Sequence, residues 1–169
     1  MKVITAPEVY KREADDITVF LAGGINKCWE WQDEVIKELD KINAKNLVVF
    51  NPRRKDFPID DPNAAEEQIN WEFNMLEQCD IFSMYFCEGE SDQPICMYEL
   101  GRNICRMQMR FPINCHRRII ISLEDNYKRR QDVMIQTRLA LGLNANIFIN
   151  KNIDDHIRDI IGAYSYFNK

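Results

Sequence analysis

The chain has 169 residues, 46% hydrophobic and 29% charged, with a formal net charge of −5 at pH 7. That balance suits one globular domain, 1–169, and excludes a disordered or fibrous chain. No apolar run is long enough to cross a bilayer, and no clustered basic surface offers to bind a nucleic-acid polymer.

Met1–Asp16 reads as an irregular arm with little core potential, and its Pro7 and Glu8 stand where an export signal needs apolar residues. A soluble, cytoplasmic protein is expected. Ile17–Ala22 is the first strand, closed by Gly23-Gly24, and Trp29–Asn43 the first helix. Leu47–Phe50 is the second strand, followed by Asn51-Pro52-Arg53-Arg54; after Asp61-Pro62 comes a helix over Asn63–Cys79. Ile81–Phe86 is the third strand, and the loop Cys87–Gln93 leads through Pro94 into a helix over Ile95–Arg110. Arg118–Leu123 and Asn146–Ile149 are the remaining strands, with helices over Arg129–Leu141, stopped by Gly142, and Ile153–Tyr166.

The strands are almost continuously apolar and β-branched, as parallel strands covered on both faces are. Alternation with helices then predicts an α/β fold. The expectation is a doubly wound, five-stranded parallel sheet in a flavodoxin-like (Rossmann-like) three-layer sandwich, with strand order 2-1-3-4-5. In such a sheet, ligands gather outside the carboxyl ends of the strands at the switch point, here between the first and third strands.

The six cysteines, Cys28, Cys79, Cys87, Cys96, Cys105 and Cys115, include no C-x-x-C pair, and several sit in apolar runs. They are expected to be buried thiols, with neither a disulfide framework nor a zinc site. His116 and His156 have no partners at metal-ligand spacing. No metal and no cofactor are therefore expected. Arg117-Arg118 precedes an Ile-Ile-Ile run and reads as a solvated strand entrance.

Three acids carry the chemistry that this sequence offers. Glu99 lies beyond the third strand near a helix start, where the helix dipole favours an ionised carboxylate. Glu72 occupies the middle of a stripe formed by Ala65, Ile69, Leu76 and Cys79, a core-facing position whose desolvation raises a carboxyl pKa. The alternative is a glutamate at the stripe's edge, reaching solvent or paired with Arg53 or Arg54. Gln68, one turn earlier, stands where it can orient Glu72. Ser91, Asp92 and Gln93 are either helix caps or ligand contacts. Gly23 and Gly24 permit close approach to the backbone or simply make a tight turn. Arg53 and Arg54 offer a site for a 5′-phosphate or form a solvated loop. Trp29, Tyr164, Tyr166 and Phe167 suit the interface of a homo-oligomer, a dimer or larger.

Phe20-Leu21-Ala22-Gly23-Gly24-Ile25, Trp31-Gln32, Asn51-Pro52-Arg53-Arg54, Gln68-Ile69-Asn70-Trp71-Glu72, Cys79-Asp80 and Gln93-Pro94-Ile95 leading to Tyr98-Glu99-Leu100-Gly101-Arg102 together resemble the nucleoside 2-deoxyribosyltransferase-like family. The resemblance spans about 17–142. It implies passage of a 2-deoxyribosyl group between nucleobases through a covalent sugar–enzyme ester, with a small-molecule nucleoside or nucleotide and a free base as partners. On that pattern Glu99 matches the nucleophile, and Glu72 matches an aspartate that handles the proton of the base. Asp92 matches the acid that holds the sugar hydroxyl, with Asn51, Arg53, Gln68, Ser91, Gln93, Gly23 and Gly24 as substrate contacts. The expected division of labour has Glu99 ionised and Glu72 partly protonated. Hydrolysis of the N-glycosidic bond and non-catalytic nucleotide sensing are the alternatives. The segment Tyr127–Val133 also resembles a family feature, and Glu124 and Asn126 are weaker candidates for ligand contact.

Overall fold

The structure is a computed structural model that describes residues 1–108, 117–141 and 147–169. It comprises strands β1 (Lys2–Thr5), β2 (Ile17–Gly23), β3 (Leu47–Asn51), β4 (Ile81–Phe86), β5 (Arg118–Leu123) and β6 (Ile147–Asn150). The helices are α1 (Trp31–Asp40), α2 (Ala64–Gln78), α3 (Pro94–Gln108), α4 (Arg130–Leu141) and α5 (Ile153–Phe167). The expected helix end at Arg110, the stop at Gly142 and the strand start at Asn146 lie outside the described residues, as do Cys115 and His116.

All strands pair in parallel, in the order β1-β3-β2-β4-β5-β6. The order expected for five strands is present inside it, and the sixth strand is the correction: the N-terminal arm is not irregular throughout. Lys2–Thr5 adds an edge strand beside β3, with Lys2 opposite Val48 and Thr5 opposite Asn51. Ile4, Ala6 and Tyr10 are buried, and the Tyr10 ring meets Phe50 edge-on at 4.9 Å. The returning arm is held where Arg12 reaches Asp80 at 2.7 Å and Trp71 Nε1 donates to the Glu8 carbonyl.

Alternate residues of each strand face opposite sides, as the pleat requires. Val19 and Leu21 join Trp31, Val35, Ile157 and Ile160 under α1 and α5, whereas Phe20 and Ala22 join Trp71, Met75, Leu100 and Ile104 under α2 and α3. Three layers result. Within the α5 face, His156 is fully buried, and its ring nitrogens meet Ser83 Oγ at 2.6 Å and Ser122 Oγ at 2.7 Å.

Helix α2 departs from the expected stripe: Ala64, Trp71, Met75 and Leu76 are buried, while Ala65 is exposed and Ile69 is 64% exposed. The buried line runs along 64, 68, 71, 72 and 75, so Gln68 and Glu72 stay on the inner side with different neighbours. Pro94 opens α3, with Gln93 immediately before it at a left-handed φ of 50°.

Candidate active site

A cavity of about 250 Å³ opens at the carboxyl ends of β2 and β4, the switch point of the sheet. Ala22, Gly23 and Gly24 form one side, Pro52 follows β3, Glu72 projects from α2, Ser91 and Gln93 come from the β4–α3 loop, and Glu99 comes from α3. Two carboxyls from separate helices thus share one hollow, and among the described residues no Lys, Arg or His lines it.

Gln68 Nε2 donates to Glu72 Oε1 at 2.8 Å and to the Pro52 carbonyl at 2.8 Å. The carbonyl fixes which way the amide points, since it accepts only from N–H. Burial raises the Glu72 pKa and the bond from Gln68 pulls it back. Glu72 is paired with neither arginine.

Glu99 is shifted further, to about 8, by burial first and by the neighbouring Glu72 charge second, with Arg102 opposing. The expectation that the helix terminus keeps it ionised fails. Glu99 is the sixth residue of α3, beyond the first turn, which holds no acid, and the dipole effect fades within that turn. Burial and the neighbouring Glu72 carboxylate both favour the protonated form of Glu99, while the Gln68 bond favours the ionised form of Glu72.

Gly23 and Gly24 are glycines for steric reasons. A Cβ on Gly23 would overlap the Tyr85 carbonyl and lie 2.7 Å from the Trp31 ring; its φ of 150° is a backbone conformation that L side chains rarely adopt. A Cβ on Gly24 would lie within 2.7 Å of Cys28 Sγ, Cys87 Sγ and Gln93 Oε1. Cys28 and Cys87 form a disulfide, contrary to the expectation of thiols throughout. Their 59-residue separation hides the pair in the sequence. The available signal was that each follows one of two adjacent strands, with Gly23 registered against Tyr85. Cys79 and Cys96 are buried thiols.

Gln93 is buried; its Nε2 donates to the Cys87 carbonyl at 2.6 Å, and its Oε1 has no protein partner. A buried acceptor is therefore left without a partner beside Gly24. Ser91 Oγ accepts from the Gln93 amide.

Asp92 is exposed and outside this lining; its carbonyl accepts from Tyr127 OH at 2.8 Å. Tyr127 itself packs 5.1 Å from Phe86, so the 127–133 segment anchors the site loop from below. Asn51 accepts from the Arg53 amide and is also outside the lining. The Arg53 guanidinium is spent on Gln32 Oε1 at 2.8 Å and the Trp29 carbonyl at 2.9 Å, and Arg54 pairs with Glu67. Glu124, weakly indicated by sequence, acts behind the pocket. Its carboxylate accepts from Trp29 Nε1, Tyr85 OH and the Glu88 amide, joining both rim loops to β4. Asn126 is exposed. Of the proposed interface aromatics, Tyr164 is buried with its OH on Asn46, while Trp29 and Tyr166 are exposed.

A second groove, about 340 Å³, lies between α3 and α4 against Leu100, Ile104, Val133 and Ala140. Among the described residues Asp132 is its one acid, so these offer no paired carboxyl chemistry. Among the described residues there is no cluster suited to a metal ion and no helix long and apolar enough to cross a membrane.

A doubly wound parallel sheet with two glutamates at the hollow of its switch point defines an α/β protein of the Rossmann-like class. The model of the nucleoside 2-deoxyribosyltransferase-like family matches residues 16–118, more than half of the chain, and the chain belongs to that family. Membership places it among glycosyltransferase-like proteins; the match ends before α4, short of the 142 suggested by the sequence motifs. Comparison with curated proteins finds no match.

Proposed function

We propose that this protein transfers 2-deoxyribose between nucleobases through an ester formed on Glu99. The observation that carries the reading is the placement of Glu72 and Glu99 on one glycine-walled hollow. Two carboxyls are what a retaining glycosyl transfer uses, one as nucleophile and one as acid.

The first half-reaction needs one proton on the pair, and the raised pKa of Glu99 supplies it. As positive charge develops at C1′, the ionised form of Glu99 is favoured and its proton passes to Glu72. Glu99 Oε then bonds to C1′, the C1′–N bond breaks with its electrons going to the base, and Glu72 protonates the departing nitrogen. An incoming base reverses these steps, giving its N–H proton to Glu72. Gln93, rather than Asp92, is the side chain assigned to a sugar hydroxyl, because it lines the hollow and its Oε1 has no protein partner.

Among the described residues no cation lines the hollow, and Arg53 and Arg54 are engaged elsewhere, which favours a nucleoside over a nucleotide. Hydrolysis is the second reading: Ile95 on the rim is 65% exposed, so the hollow is open to water when no acceptor base is present.

The test is incubation with a 2′-deoxynucleoside and a different free base, with product chromatography and intact mass spectrometry. Base exchange and a deoxyribosyl adduct on the peptide bearing Glu99 are expected; base release without exchange makes the protein a hydrolase. The same nucleoside bearing a 5′-phosphate is expected to react about 10- to 100-fold less well, since its charge meets none of the charge-assisted contacts, worth about 1.5–3 kcal/mol, that would offset its desolvation. Neither exchange nor release across the common nucleosides overturns the proposal.

A further inference from the structure

Two loops form the rim beside Gly24: the one after β2, carrying Gly24 to Trp29, and the one after β4, carrying Cys87 to Gln93. The Cys28–Cys87 bond ties them together directly behind the hollow. We propose that this bond is a thiol–disulfide switch that sets whether the sugar-binding wall of the candidate active site is formed.

The coupling is steric. Bonded sulfurs stand about 2 Å apart, whereas unbonded heavy atoms need roughly 3.5–4 Å. Reduction therefore forces the sulfurs apart by more than ~1 Å. Gly24 and Gln93 occupy the space they would take, since any atom added at the Gly24 Cβ position already falls within 2.7 Å of both sulfurs and of Gln93 Oε1. Gln93 cannot stay indifferent to such a movement, because its amide is hydrogen-bonded to the carbonyl of Cys87 itself. Gly24 is likewise fixed from its other side, its carbonyl accepting from Trp31 Nε1 at 2.9 Å. The displacement must be taken up by the pocket wall or by the rim loops.

The remaining ties between the loops are polar and partly exposed: Lys27 with Glu90, and Trp29 and the Glu88 amide with Glu124. They keep the loops near each other once the covalent tie is cut, so the change is a loosening and not an unfolding. Access favours attack at Cys28, which is half-buried, while Cys87 is fully buried. The thiolate of a small dithiol bonds to Cys28 Sγ and Cys87 leaves as thiolate. The second thiol of the reagent then closes its own disulfide and frees Cys28. Two electrons pass from reagent to protein, and each cysteine ends with one proton.

The test compares the full chain oxidised by glutathione disulfide with the same chain reduced by dithiothreitol. Three readouts are used: mapping of the linked peptide, hydrogen exchange in the two loops, and turnover of a 2′-deoxynucleoside; only the last rests on the proposed function. Expected are a Cys28–Cys87 linked peptide in the oxidised form and, after reduction, exchange faster by about fivefold or more in both loops. A fall in kcat/KM of roughly 10- to 100-fold is expected with it, as a misplacement near 1 Å produces. Cys28→Ser should behave as the reduced form in either buffer, and Cys105→Ser should keep the response. Absence of the linked peptide, or equal loop exchange in the two wild-type forms, overturns the switch without requiring any variant to fold. Turnover with equal kcat/KM in both forms also overturns it and leaves the proposed function standing. Responsive loops with no turnover in either form uphold the switch and overturn the function.

Discussion

Gln68 holds Glu72 by a 2.8 Å hydrogen bond whose direction is dictated by the Pro52 carbonyl on the same amide nitrogen. The bond favours the ionised carboxylate against the desolvation that burial imposes. Gln68→Leu removes the donor. It is expected to move the acid limb of the pH–rate profile upward and lower kcat by about 10- to 100-fold, the equivalent of the ~1.5–3 kcal/mol of a hydrogen bond to a charged group. An unchanged acid limb with ordinary kcat would show that Gln68 has no part in setting the proton on Glu72.

The carboxyl pair acts with one proton, so kcat/KM is expected to be bell-shaped. It falls below the raised pKa of Glu72, where both acids are protonated, and above about 8, where Glu99 loses its proton. Stability carries the same signature. Because the folded pKa of Glu99 is raised, the native state holds the extra proton between about 4.5 and 8. Its contribution is complete below that window and is lost as pH rises through it, amounting to a few kcal/mol. Glu99→Gln should flatten this stretch of the Tm–pH curve and abolish the sugar adduct; a curve parallel to the wild type would sink the assignment.

Gly24→Ala tests the packing behind the pocket. The new methyl meets the two sulfurs and Gln93 Oε1 within 2.7 Å. Overpacking of that kind costs about 1–3 kcal/mol, which predicts a Tm lower by roughly 2–12 °C for a chain of this size. Calorimetry decides it, and an undiminished Tm would mean that the wall yields freely.

His156 contributes on the opposite face of the sheet. Burial between Ser83 and Ser122 holds it neutral, with its pKa lowered to about 3. The unfolded chain takes up a proton near 6.5 while the folded one does not, so stability present above that pH is lost as pH falls towards 3, by up to a few kcal/mol. Chemical denaturation at pH 7 and pH 4 measures the loss, and His156→Gln should lessen it.

The βα alternation, the parallel strands and the strand order were legible in the sequence, because apolar periodicity is a local signal and right-handed crossovers leave few arrangements for it. The positions of Gly23, Gly24, Gln68, Glu72, Gln93 and Glu99 at one rim followed from their places after strands or along helices, and the structure gathers them around one hollow, with Gln68 just behind Glu72. The edge strand Lys2–Thr5 was not legible: four residues with no turn of their own become a strand only when β3 offers its free edge. Nor was the Cys28–Cys87 bond, whose partners meet only once β2 and β4 pair. Asp92 and Gln93 are adjacent in the chain and opposite in fate, since the backbone turn at Gln93 buries one side chain and exposes the other. Sequence by itself determined the order of strands and helices and therefore which loops meet at the switch point. Tertiary structure decided how deeply each carboxyl is buried and which neighbours line the hollow, because desolvation and pairing depend on atoms brought together from distant parts of the chain.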